Sequence, residues 1–421
     1  MALIRPFNAM LYKIERNEEL ESLCCPPYDI IPPELQEKLY ALPHNAIHLE
    51  LAEGEGMARY ENAAKTLESW LSSGVLTDAG GDALYLYEED FTVGGKKMYL
   101  RGLIARVKLE EFDKGVVLPH EETLSKAKQD RFDLMCATGC NFSQVYSMYM
   151  DDEHRIAPLI DSISDRPCSR EFTDADGVTH RLWIEHDGAV CRAICEGFAD
   201  KKLYIADGHH RYETALRYRD MLREKNGGDA GNAEYVMMML VDIDQHGLVV
   251  LPTHRMLIGL SNFDAEKALE KMADAFAFEK VEKDKIPDTL AGAGTRFVFY
   301  TKKGAYLLTL QDANVMYRYA PHKSAAYRSL DVAVLHQAIL EPVFGIGKAE
   351  MAAGTNLRYT RSMEEALDAV DQGQAQCAFL INPTRVRQIR DVASAGEKMP
   401  QKSTYFYPKL TTGLVFNNFK F

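Results

Sequence analysis

No run of about 18 apolar residues occurs in this chain, so a membrane-spanning helix is not expected. The opening Met-Ala-Leu-Ile-Arg-Pro-Phe has no basic segment followed by a long apolar one. We therefore expect no secretory signal and a cytoplasmic protein. Positive charge is in short supply: 49 Lys and Arg stand against 62 Asp and Glu, a net charge of −13. That balance argues against general DNA or RNA binding, which depends on neutralising phosphates, but it leaves room for a local basic pocket. Cysteine is sparse and scattered. The pairs Cys136/Cys140 and Cys191/Cys195 could supply four thiolates, but no glycine-rich knuckle surrounds them. Reduced, packing thiols are the expectation. Familiar catalytic signatures are also missing. Gly345-Ile346-Gly347-Lys348 lacks the frame of a P-loop, and His120-Glu121-Glu122-Thr123-Leu124 lacks the second histidine of a zinc protease. There is no G-x-S-x-G elbow and no protein-kinase H-R-D or D-F-G set. We find no internal repeat and no low-complexity tract.

The most informative stretch that is present runs from Lys202 to Leu216. Leu203 to Ala206 reads as a buried strand. Asp207-Gly208-His209-His210-Arg211 makes a tight polar turn. Tyr212 to Glu224 reads as a helix, with Ala215, Leu216, Tyr218, Met221 and Leu222 in a 3.6-residue apolar period. A strand-turn-helix of this kind aims backbone N–H groups and the positive end of the helix dipole at the turn, which favours an anion. The two imidazoles and the guanidinium add donors suited to phosphate oxygens. Asp207 is the odd member, because a carboxylate repels a phosphate. It makes sense as a holder of Mg²⁺ bridging to phosphates, or as the group that orients a histidine. The plain alternative is a helix start with a capping Asp and surface histidines.

Two further constellations carry possible chemistry. Pro119-His120-Glu121-Glu122-Thr123 places a carboxylate beside a histidine, where it could act as a general base or simply open a helix. Lys402-Ser403-Thr404, with Arg385, combines cations and two hydroxyls able to hold a phosphate, although such tripeptides are common. His44 and His48 read as surface or satisfied histidines, Tyr204 and Tyr212 as packing residues, and Met237-Met238-Met239 as buried strand.

With 421 residues, two or three domains are expected at ~150 residues each. Residues 1–115 read as a mixed α/β region. In it the four prolines of Pro26-Pro27-Tyr28-Asp29-Ile30-Ile31-Pro32-Pro33 specify an extended loop, Gly56 to Leu71 is a helix, and Gly94-Gly95 closes a hairpin. Separate strands are expected at 97–101 and 103–109. Residues 116–260 carry the polar motifs, with strands at 181–185 and 235–241. Residues 261–421 form a smaller α/β region: helices at 263–276, 331–340 (ending before Pro342), 362–370 and 384–393, a hairpin around Lys303-Gly304, and a closing strand at 414–416.

The Gly208-His209-His210-Arg211 box resembles the phosphate-binding box of the ParB/sulfiredoxin-like superfamily, which reads G-C-H-R in sulfiredoxins and G-E-R-R in ParB proteins. His209 stands where sulfiredoxins carry their reactive cysteine. The nearer resemblance is to the free L-serine kinases of that superfamily, with D-G-H-H-R after an apolar strand, a P-H-E segment upstream, and a strand-P-T-helix followed by a P-K-T-T-R-H segment. Here Pro119-His120-Glu121, Phe379 to Thr384 and Lys402-Ser403-Thr404 are similar, with Tyr405 and Phe406 in place of the Arg and His. The whole chain also resembles the DUF1015 family, through Pro-Pro-Tyr-Asp, His-Glu-x-Thr, Asp-Gly-His-His-Arg and the Pro-Lys-Leu-Thr-x-Gly-Leu stretch at 408–414.

These resemblances imply an α+β fold: a ParB/sulfiredoxin-like mixed-sheet core at 116–260, an N-terminal α/β extension, and a C-terminal α/β domain completing the substrate site. They imply Mg²⁺-dependent phosphoryl transfer from ADP, ATP or pyrophosphate to free L-serine or a similar small molecule. Glu121 would be the base, and Asp207 and His209 would act at the phosphoryl group, Asp207 as the metal ligand. Gly208, His210 and Arg211 would hold phosphates, while His120, Lys402, Ser403 and Thr404 would hold substrate. The partner would be a small molecule, with neither nucleic acid nor membrane. The alternative is a non-catalytic, ParB-like nucleotide switch, which has no use for a carboxylate near the terminal phosphate.

Overall fold

Gly94 and Gly95, both with positive φ, close a two-residue turn that pairs Val93 with Lys96 and joins the strands Leu84–Val93 and Lys96–Lys108. The second strand is continuous where two were expected. Gly102 does not break it. A Cβ there would meet the Met239 Cε at 2.5 Å, so glycine is present for close approach of neighbouring side chains and not for a turn.

The computed structural model describes residues 1–121 and 125–421; Glu122 and Thr123 of the His-Glu segment lie outside the described residues. The fold is α+β, with a large mixed sheet and smaller sheets. The chain divides into two compact units. The first holds Met1–Pro119, the described residues from Ser125 to Val249, and Pro408–Phe421; the second holds His120, Glu121 and Val250–Tyr407. The border expected at residue 115 therefore falls inside one unit, because Lys96–Lys108 pairs directly with Tyr235–Asp242. The C-terminal residues 408–421 return to the first unit.

In the first unit, nine strands among the described residues form one sheet. Its order is Val117–Leu118, Leu203–Asp207, Val145–Tyr149, Tyr235–Asp242, Lys96–Lys108, Leu84–Val93, Thr179–Glu185 and Arg170–Thr173, with Ile4–Arg5 also paired to Lys96–Lys108. Val117–Leu118 lies parallel to Leu203–Asp207 and Val145–Tyr149 parallel to Tyr235–Asp242, while the other pairs are antiparallel. One buried cluster joins Leu86, Leu103, Val145, Met238 and Leu240 of the sheet to Ile160, Ile194 and Tyr212 of helices. Each fully buried aliphatic side chain contributes roughly 1.5–3 kcal/mol, which fixes the strand carrying Asp207 against its helix. In the second unit, an antiparallel sheet runs in the order Phe276–Val281, Gly304–Leu310, Arg296–Thr301, Cys377–Ile381, His254–Leu257, Leu357–Thr360.

Several local expectations change. Pro33 starts a helix, Pro33–Tyr40, because proline is pre-organised for the first helical position. The helix expected over 263–276 is Ala265–Met272, capped by the Asp264 carboxylate, and Phe276 instead begins a strand paired with Leu310. Pro342 does not end its helix. A wide π turn over Leu335–Leu340 precedes it, and the chain stays helical through Glu341–Phe344. The closing strand falls at Asn417–Asn418, paired with Cys140–Asn141, in place of 414–416. The eight cysteines, all among the described residues, form no disulfide. No described helix is long and apolar enough to cross a membrane.

A buried polar chain crosses the first unit's sheet. His180 Nε2 lies 3.1 Å from Asp174, its Nδ1 lies 2.7 Å from the Tyr87 hydroxyl, and that hydroxyl lies 2.8 Å from Glu89 Oε1. Tyr87 has one proton to give. The Tyr87 hydroxyl donates it to Glu89 Oε1. Burial pushes the Glu89 carboxyl up to about 8, in line with a neutral acid. In the unfolded chain this group ionises near 4.5, so stability declines as pH rises from there toward about 8. Glu89→Gln is expected to raise the melting temperature clearly at pH 8 and much less at pH 5. Equal effects at the two pH values would rule out a neutral Glu89.

Candidate functional site

Leu203–Asp207 is buried until its last residue, where Asp207 emerges at the strand's carboxyl end. Gly208 follows at φ +87° and turns the chain directly into the helix His209–Lys225, at whose N-cap it has no side chain to offer. The Asp207 carboxylate is held from two sides: Lys409 Nζ reaches Oδ1 at 2.9 Å, and Arg211 Nη2 reaches Oδ2 at 2.9 Å. Arg211 Nη1 also donates to the Gln144 carbonyl. Burial alone would push the Asp207 carboxyl up, but the charges of Lys409 and Arg211 outweigh it and hold it well below the usual carboxylate range. Glycine is required at 208, since a Cβ would meet the Arg211 guanidinium at 2.9 Å and φ is left-handed.

The histidines differ. His209 is buried. His210 is half-buried, and burial lowers its basicity; Glu213 and Asp29 oppose that lowering, while Lys128 adds to it. Lys128 is itself paired with Glu213 at 2.8 Å. Behind Arg211 lies a cavity of about 30 Å³, lined by Glu50, Arg131, Ser143 and Arg211 among others, large enough for a water. Glu50 accepts the Ser143 hydroxyl at 2.8 Å and faces Arg131 at 3.5 Å. Burial pushes its carboxyl up against the pull of Arg131. The Arg131 guanidinium stacks 4.1 Å over the Tyr28 ring, so the Pro-Pro-Tyr-Asp loop packs onto the same network.

The second unit gathers the other sequence-predicted residues. His120 is buried, with Nε2 3.0 Å from the Thr404 hydroxyl, and its carbonyl accepts the Met399 N–H at 2.7 Å. Thr384 donates to the Ser403 carbonyl at 2.9 Å, and the Ser403 hydroxyl donates to the Pro400 carbonyl. Lys402 is exposed at φ +56°. Glu121, half-buried, belongs to this unit by its place in the chain. Thus Asp207, Gly208, His209, His210 and Arg211 lie in one unit, and His120, Glu121, Lys402, Ser403 and Thr404 in the other.

Sequence reasoning did not single out Lys409, Glu50, Arg131 or Gln144. Lys409 had a signal, since it sits in the Pro-Lys-Leu-Thr stretch at 408–411; a lysine two hundred residues downstream of Asp207 could not otherwise be paired with it. The others carry no local signature.

Among the described residues, no group of three or more His, Cys, Asp or Glu is placed to hold a metal ion. Asp207 offers one carboxylate, already facing two cations. It fits Mg²⁺ only as a single ligand, with phosphate oxygens and water completing the shell, as is common for this ion. Bound Mg²⁺ would supply charge neutralisation for phosphates.

The model of the family described as "Protein of unknown function (DUF1015)" matches residues 4–333, most of the chain, and the chain belongs to that family. No curated protein matches it. Among solved structures, a conserved hypothetical protein from Pyrococcus furiosus is similar with TM-score 0.35 and 12% identity over 76% of this chain and 96% of that one. A free serine kinase in complex with AMP is similar with TM-score 0.37 and 10% identity over 75% and 91% of the two chains. SbnI with a C-terminal truncation, from Staphylococcus aureus, gives TM-score 0.37 and 10% identity over 75% and 87%. Likeness this slight transfers no activity.

Gly208→Ala is expected to cost about 1–2 kcal/mol from the left-handed backbone alone, and more from displacement of Arg211, read as a lower urea midpoint. Asp207→Asn leaves two cations facing a neutral amide and is expected to cost about 1–3 kcal/mol at pH 7. Because the Asp207 pKa is depressed in the fold, its contribution is present above the ordinary carboxylate pKa and is lost as pH falls toward the folded value. The gap between wild type and variant should therefore narrow below about pH 4. A gap independent of pH would exclude an ionised, paired Asp207.

Proposed function

We propose that this protein is a small-molecule kinase that transfers a phosphoryl group from ADP, ATP or pyrophosphate to the hydroxyl of free L-serine or a similar small molecule. The observation that carries this reading is the Asp207–Gly208–Arg211 turn. There an ionised carboxylate and two cations, Lys409 and Arg211, stand at the start of a helix that opens on Gly208. This is a set of donors suited to phosphate oxygens, and it could neutralise the charge of a transferring group. The acceptor hydroxyl is a poor nucleophile at neutral pH and needs a base. Glu121 is assigned that part from its Pro-His-Glu context. In the step, the serine Oγ–H proton passes to the Glu121 carboxylate while Oγ bonds to the terminal phosphorus. The bridging P–O bond breaks, with its electron pair leaving on the departing phosphate. Asp207 would be the protein's ligand to phosphate-borne Mg²⁺. His210 and Arg211 would hold phosphates, His209 would support Asp207, and His120, Lys402, Ser403 and Thr404 would hold the acceptor.

The test is direct. Purified protein with Mg²⁺ and L-serine is incubated with ATP, ADP or pyrophosphate in turn, and phosphoserine is sought by mass spectrometry. Product is expected with at least one donor; nucleotide binding without product from serine or other hydroxyl amino acids would favour a nucleotide-dependent switch. Glu121→Gln is expected to lower kcat by about 10²–10⁴-fold while donor affinity is retained. Asp207→Asn should lower kcat by about 10²–10³-fold. Wild-type turnover in Glu121→Gln would remove it as the base.

A further inference from the structure

The second unit contains a buried cation that no carboxylate balances. Arg255 lies in the strand His254–Leu257 and is 1% exposed. Its Nη1 donates to the Thr253 carbonyl and its Nη2 to the Lys402 carbonyl at 3.0 Å, while Nε has no hydrogen-bond partner. Among the described residues no Asp or Glu forms an ion pair with it. The Tyr359 ring centre lies 5.7 Å from its guanidinium carbon, and burial pushes the guanidinium down to about 10. Neighbouring histidines add no counter-charge. His254 is pushed down to about 4 by burial and by Arg255, and His336, on the π turn, is likewise held neutral. Keeping an unpaired guanidinium out of water is costly, and such a group persists where something else needs its charge.

What Arg255 holds is the loop 400–404. Lys402 there adopts a left-handed backbone (φ +56°), a conformation that disfavours a side chain. The strain is over-determined by the surrounding contacts: Arg255 on the Lys402 carbonyl, Thr384 on the Ser403 carbonyl, Ser403 on the Pro400 carbonyl, and His120 on Thr404. The result is an exposed Lys402 ammonium on a loop held in place, with the Arg255 charge bonded to the loop's backbone and, among the described residues, no carboxylate paired with it.

We propose that Arg255 is a positioning residue that makes the loop 400–404 an oxyanion subsite, taking the carboxylate or phosphate of a small molecule. The inference rests on the kinase reading only in taking that small molecule to be the acceptor or its phosphorylated product. Arg255 shapes the loop through the Lys402 carbonyl and biases it toward anions without touching the ligand.

The experiment is calorimetric titration of the full chain with inorganic phosphate, O-phospho-L-serine and L-serine, with melting temperature and far-UV circular dichroism as controls for folding. Binding of phosphoserine, of phosphate or of both is expected in the wild type. Arg255→Met is expected to weaken that binding by at least about tenfold, and Arg255→Lys to restore part of it. Serine binding with no phosphate or phosphoserine binding would identify a carboxylate subsite and should show the same dependence on Arg255. A folded Arg255→Met with wild-type affinity would overturn the proposal, as would a wild type that binds none of the three. Should Arg255→Met fail to fold, Lys402→Gly decides. It keeps the left-handed backbone and removes the ammonium, so unchanged oxyanion affinity in that variant would overturn the subsite. Arg255-dependent oxyanion binding in a protein that forms no phosphorylated product would sink the kinase reading and leave this inference standing.

Discussion

Asp207, between Lys409 and Arg211, is the interaction on which the candidate site depends. It joins three pieces of chain that have no reason to meet otherwise: the end of a buried strand, the first turn of the following helix, and a C-terminal segment that returns to the first unit. Desolvation disfavours the ionised carboxylate, and two adjacent cations outweigh that cost. The same pairing gathers two positive groups around the carboxylate that precedes the helix. An anion arriving there meets a balanced network whose cations are already positioned, so little reorganisation is required.

Buried charge recurs through the molecule and is handled in three ways. Glu50 and Arg131 face each other, with Ser143 satisfying an oxygen and Tyr28 covering the guanidinium. Burial pushes the Glu89 carboxyl up to about 8, which favours its neutral form, while its Oε1 accepts the Tyr87 hydroxyl. Arg255 does neither: it keeps its charge, satisfies two of its nitrogens with backbone carbonyls, and has no counter-ion among the described residues. Pairing and neutralisation are the ordinary solutions of a stable interior. The third arrangement is not, which directs attention to the loop above it.

Much of the secondary structure was legible in the chain because its causes are local. The Gly94-Gly95 turn, the helix expected at 56–71, which is Ala58–Ser73 and ends at Gly74 with positive φ, and the strand-glycine-helix at 203–225 follow from backbone conformations available to glycine and from apolar periodicity. The errors also have local causes that pointed the wrong way. Gly102 looks like a strand break and is a packing device. Pro342 looks like a helix stop and follows a π turn. Val145–Tyr149, buried over its whole length between two other strands, carries no alternating pattern and went unread.

The sequence by itself determined the kind of chemistry available: a carboxylate, imidazoles and a guanidinium around Gly208, and hydroxyls and a lysine at 402–404. It determined the turn as well, because left-handed backbone at 208 is a property of one residue. Only the tertiary structure decided which charges meet. Lys409 reaches Asp207, Arg131 and Glu50 assemble behind Arg211, and Arg255 takes hold of Lys402, all between residues far apart in the chain. Coulomb and hydrogen-bond energies depend on distance in space, and sequence separation says nothing about that until the sheets have formed.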